Sequence, residues 1–159
     1  MKHLQIITII SLLLVSACGI SRQTSAEQEQ TAQAIRQMLD ERHFQIDINY
    51  MIPLRGGSKS VSSYSITIDG STIDSHLPYF GEARSVPYGG GKGLTFREEI
   101  AGYSDSGVMG REGRRIVVSV KNEEDTYLYT IYVFDNGFAD VRVHSRNRDD
   151  ISYRGSIVL

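Results

Sequence analysis

The residue group closest to recognisable chemistry is Gly89-Gly90-Gly91-Lys92-Gly93, a lysine set among glycines. Glycine beside lysine is one way to cradle phosphate. The phosphate-loop pattern, however, needs Ser or Thr after the lysine and a helix N-terminus to follow. Here Lys92 precedes Gly93, and "LTFREEI" starts like a strand. The stretch therefore reads as a loop, and no nucleotide site is expected. "GYSDSG" at 102–107 spaces its glycines one residue too far apart for a nucleophile elbow. In "DSH" at 74–76, neighbours on a strand leave opposite faces, so no triad forms. His43, His76 and His144 are far apart and do not match zinc-ligand spacing. "RNRDD" at 146–150 lacks the spaced oxygens of a calcium loop and reads as a solvated turn. No metal and no cofactor are expected. Glu98 and Glu99 are the carboxylates an enzyme would draw on first.

The lone cysteine has a more specific context. Lys2 and His3 precede an apolar run from Leu4 to about Ala17, too short for a comfortable membrane span. A basic start, a short apolar stretch and small residues make an export signal. Val15-Ser16-Ala17-Cys18 resembles the lipobox of bacterial lipoproteins, in which the chain is cut before the cysteine and the thiol is lipidated. The expected organisation is a signal peptide over 1–17, a tether over 18–24 after lipidated Cys18, and one globular domain over 25–159. Several acyl chains on one residue suffice for stable anchoring. The 17 basic and 19 acidic residues give a net charge of -2. With no basic excess, no nucleic-acid partner is expected.

The elements that must position any site follow from periodicity. Ser25-Ala26-Glu27-Gln28 fits a capping box, and Ile35, Met38, Leu39 and Arg42 fall on one helical side, predicting a helix over about 26–41. "FQIDINY" alternates strictly, with Phe44, Ile46, Ile48 and Tyr50 on one side. "MIPLRGGSKS" reads as a loop, "YSITI" as a strand, and Asp69-Gly70 as a type I′ hairpin pair. "RRIVVSVK", "TYLYTIYVF", "FADVRVHS" and "ISYRGSIVL" are further strands, with Asp135-Asn136-Gly137 a tight loop. One helix followed by about seven antiparallel strands predicts an α+β fold, barrel or sandwich-like. Tyr127 and Tyr129 share a strand face, and the reading favoured is that they pack a sheet face rather than present a surface.

"LPYFGEARSVPYGGGKGLTF" together with "ISYRGSIVL" resembles an uncharacterised Bacteroides-group lipoprotein family that carries a domain of unknown function, domain-of-unknown-function family 4251. The resemblance runs from about Phe44 to Ile157. It implies a Gram-negative envelope lipoprotein with a compact α+β or mostly β domain, and no catalytic residues to transfer. The two motifs are expected to meet, with the central loop touching the last strand. Tyr79, Phe80, Tyr88, Lys92 and Tyr153 are the expected ligand or partner surface. The favoured function is a non-enzymatic module anchored to the outer membrane, on its periplasmic face, that binds a small ligand or an envelope protein. A hydrolase of envelope or dietary polymers and a structural envelope protein are the competing readings.

Overall fold

The computed structural model describes residues 25–84, 93–108 and 113–159. Cys18, the expected signal and tether, Tyr88 and Lys92 lie outside the described residues. The chain forms helix α1 (Ser25–Glu41) and then eight strands. These are β1 (His43–Pro53), β2 (Lys59–Asp69), β3 (Thr72–Leu77), β4 (Leu94–Val108), β5 (Gly113–Lys121), β6 (Thr126–Phe134), β7 (Phe138–Ser145) and β8 (Ile151–Ile157). Every neighbouring pair is antiparallel, and β8 pairs back onto β1. The expected sheet is therefore a closed barrel of eight strands rather than about seven.

Alternation puts one side chain in two into the barrel. Phe44, Ile46, Ile48, Ile66, Ile68, Ile116, Val118, Val120, Ile131 and Val141 are all buried there. Tyr127 and Tyr129 also face inward, so they pack the core as favoured. Helix α1 closes one end. Its buried stripe, Ala32, Ile35 and Leu39, joins the same core. Arg36 bonds Asp135 in the β6–β7 turn at 2.5 Å, and Arg114 at the start of β5 bonds Asp40 at 2.7 Å. Arg42 is not part of the helical face. It follows the helix with φ 55°, and its guanidinium lies 4.1 Å over the Tyr103 ring.

Three local readings change. Tyr50 is exposed, because the β1 register shifts between Ile48 and Tyr50 and turns Met51 and Pro53 inward instead. Strand β1 thus continues into the segment read as loop. The β2–β3 hairpin pairs Asp69 with Thr72, so its central residues are Gly70 and Ser71. Of these only Gly70 has positive φ, as a type II′ turn requires rather than I′. "GYSDSG" lies inside β4, which is bulged twice against β5.

Candidate functional site

The helix-free end of the barrel carries the β1–β2, β5–β6 and β7–β8 connections and the segment after β3. Leu77 ends β3 because Pro78 cannot donate to a ladder. The chain then crosses this end and is held down residue by residue. The buried Tyr153 hydroxyl donates to the Pro78 carbonyl at 2.6 Å. Tyr79 donates its hydroxyl to the Glu82 carbonyl at 2.9 Å, with the Asp149 carbonyl at 3.4 Å. Asp149 N–H donates to the Glu82 carbonyl at 3.0 Å, and Arg84 N–H to the Asn147 carbonyl at 2.7 Å. Ala83 and Arg148 form a bridge. The expected meeting of central loop and last strand is present, and the β7–β8 connection takes part in it.

Gly81 is required by this geometry. A Cβ there would sit 2.6 Å from the Tyr79 hydroxyl and 3.3 Å from Asp149 Cβ. Under the loop, Arg148 is only 8% exposed. It bonds Glu124 at 3.0 Å and lies 5.6 Å from the Tyr79 ring centre. Asp125 is buried too. Burial opposes its ionisation, but donors from Ser145 (2.5 Å), Thr126 (2.7 Å) and Asn147 (3.0 Å) outweigh that and hold its pKa below the usual carboxylate range. "RNRDD" is therefore no solvated turn. Its Arg148 and Asp149 are structural fasteners. Nothing in the sequence marks them, because their partners Tyr79, Glu82 and Glu124 are remote in the chain.

Clamping the loop leaves Phe80 outside, 51% exposed, with the Lys59 ammonium 3.6 Å from its ring centre. Leu54 is exposed on the β1–β2 connection. Between the two connections lies a cleft of about 350 Å³ lined by Arg55, Tyr79, Phe80, Gly81, Glu82 and Asp149. Arg55 and Glu82 close one wall with an ion pair at 2.7 Å. The result is a mainly apolar notch with paired charges at its rim. Of the expected surface residues, Tyr79 and Phe80 line this cleft. Tyr153 supports it from inside the barrel and is not on the surface. Burial pushes the hydroxyls of Tyr79 and Tyr153 above the usual tyrosine range.

Glu98 and Glu99 do not converge. They are neighbours on β4, so their side chains leave opposite faces. Glu98 is half-buried beside a second cleft of about 670 Å³ between β4 and the β5–β6 turn, while Glu99 is exposed. Among the described residues no group of three His, Cys, Asp or Glu side chains is placed to hold a metal.

Fold and site together define a small up-and-down barrel, plugged at one end by an N-terminal helix and bridged at the other by a tied aromatic loop. The family model described as a domain of unknown function, DUF4251, matches residues 26–157, and the chain belongs to that family. It is similar to a crystal structure of a DUF4251 family protein from Bacteroides eggerthii, with a TM-score of 0.59 at 14% identity, covering 82% of this chain and 91% of that one. At that identity the likeness shows the fold. No curated protein matches.

Proposed function

We propose that the chain is an envelope lipoprotein, held on the periplasmic face of the outer membrane by acylated Cys18, whose barrel is a non-enzymatic binding module. The observation that carries this reading is Phe80. A large aromatic side chain is exposed beside an apolar cleft, on a segment tied to β8 and the β7–β8 connection by hydrogen bonds and a bridge. Rigid aromatics at a rim give contact area at low entropic cost. The occupant suited to the cleft is a small ligand or a protein side chain with an apolar body and a polar edge able to meet Arg55 or Glu82. The lipobox at Val15–Cys18 supports the anchor.

The test is thermal unfolding of residues 25–159, which contain every core residue described, against metals, nucleotides, glycans, bile salts and lipids. A ligand at about a hundred times its dissociation constant adds roughly 2.7 kcal/mol, a shift of several degrees. The expected outcome is a shift that Phe80→Ser abolishes while leaving the unliganded midpoint unchanged. Hits that survive Phe80→Ser would place binding elsewhere. A flat panel, followed by crosslinks in the native envelope that avoid Phe80, would sink the reading.

A further inference from the structure

We propose that the helix-plugged end of the barrel rests on the bilayer, with the rim formed by Phe138, Val158 and Leu159 dipping into the lipid interface. This rests on the reading of Cys18 as the lipid anchor.

Three of the large apolar side chains left exposed gather at that end. Phe138 is 64% exposed and Leu159 70%, with Val158 less so at 41%. Phe138 opens β7 opposite Ser156 of β8, two residues before Val158. Leu159 shares a groove of about 540 Å³ with Ser25, Gln28, Ala32, Asp135 and Asn136. The described chain begins at Ser25, so the polypeptide coming from Cys18 arrives beside this apolar rim. Cys18 and Ser25 are seven residue-to-residue steps apart, with six residues between them. Fully extended, those steps span about 25 Å at most. The domain therefore cannot stand far from a membrane that holds Cys18, and the end nearest is the one carrying the rim.

The surrounding charge says what kind of contact this is. The exposed charged side chains of α1 include Glu27, Glu29 and Glu41, and the arginines Arg36, Arg42 and Arg114 at this end are each engaged, with Asp135, with the Tyr103 ring, and with Asp40 and Asp105. Attraction to anionic headgroups does not drive the contact. It is apolar, too small to hold the domain alone, and effective because a short tether keeps the local concentration high. The tether supplies residence and the rim supplies orientation. The opposite end follows from strand length. Nine residues of β6, tilted as barrel strands are, lift the Phe80 loop roughly 20 Å off the rim. The binding cleft then faces away from the lipid.

The sequence contains no tryptophan, so a single one is an unambiguous depth probe. F138W and F80W variants of the full chain would be made with their native signal and purified in acylated form. Each would be placed in vesicles of phosphatidylethanolamine with a minority of phosphatidylglycerol. The mass of the Cys18 peptide reports the acyl group in the same samples. The expected result is a blue-shifted F138W emission, quenched by brominated acyl chains, with F80W emission unchanged from water. Removing phosphatidylglycerol should not reduce the F138W shift. A shift in F80W alone, in both variants or in neither, with Cys18 acylated, overturns the orientation and leaves the anchor standing. A Cys18 peptide without acyl mass overturns the anchor, and this inference falls with it.

Discussion

At the scale of single residues, two backbone positions beside the β1 irregularity are the most demanding, one for space and one for conformation. Gly155 faces the β1 bulge, and a Cβ there would overlap the Asp47 carbonyl oxygen and come within 3.1 Å of Ile48 Cα. Both obstacles are backbone, so nothing flexible can move aside. Gly155→Ala is expected to destabilise by roughly 3 kcal/mol, as overpacking a tight site does, measured by urea unfolding. Ser63 is the converse. It holds φ 66° inside β2, where three residues lie against the single Asn49 of the β1 bulge. A non-glycine residue in that region carries about 1–2 kcal/mol of strain. Glycine removes it and gives back part as chain entropy. Ser63→Gly should therefore raise stability by about 0.5–1 kcal/mol, and a fall in the urea midpoint would show that the serine has a role of its own. Neither position announces itself in the sequence. Gly155 reads as an ordinary glycine in a strand, and Ser63 as one of several serines. The features that single them out are a bulge and a closing seam, both made by partners far along the chain.

Among the elements, helix α1 and the half-buried strands were legible because burial on one side imposes a period. β1 alternates cleanly as far as Ile48, and β6 along its whole length. The pattern fails where register shifts, which is why Tyr50 was expected inside and why β4, with glycines at 102 and 107 and two bulges, was read in fragments. Tyr79 and Phe80 could be picked out as a rigid aromatic pair beside Pro78 and Gly81. Which of their neighbours would line a cleft could not, since Arg55 and Asp149 arrive from other connections. The attachment of α1 is similarly long-range. Arg114, 17% exposed, bonds Asp105 on β4 and Asp40 on the helix. Burial tends to raise the pKa of Asp105, but Arg114 and the Gly107 N–H outweigh it and hold it low. Removing one partner of such a group leaves the other charge uncompensated. Arg114→Ala should cost about 1–2 kcal/mol, discounted for partial exposure. Hydrogen exchange should then rise over α1 before it rises over β6. Equal loosening of both would show that the cluster does not serve the helix in particular.

For the molecule as a whole, the side chains described inside the barrel are mostly apolar, and the buried hydroxyls of Ser75, Tyr127, Tyr129 and Tyr153 each bond another hydroxyl or a backbone carbonyl. Tyr129 donates to Ser75 at 2.9 Å, Ser75 to the Leu94 carbonyl at 2.8 Å, and Tyr127 to the Gly93 carbonyl at 3.3 Å. Burial raises the pKa of Tyr127, Tyr129 and Tyr153 above the usual value. A raised folded pKa means that the folded state holds its proton more tightly than the unfolded chain does. That stability is fully present below about pH 10, the ordinary tyrosine value. It is lost as pH rises through the folded values. Stability should be flat across neutral pH and fall above about pH 10, with phenolate absorbance rising together with unfolding. Tyr129→Phe should make the alkaline fall shallower, and tyrosines that titrate early while the fold persists would refute the account. The seam between β1 and β8 has a further consequence, in time rather than in space. Strands β1 and β8 are each other's neighbours, so the ring cannot shut until β8 has been made. Contacts of such wide sequence separation form slowly. A nascent chain lacking β8 would carry two bare strand edges, so it stays open to whatever handles it during synthesis, and locks only when its last seven-residue strand arrives.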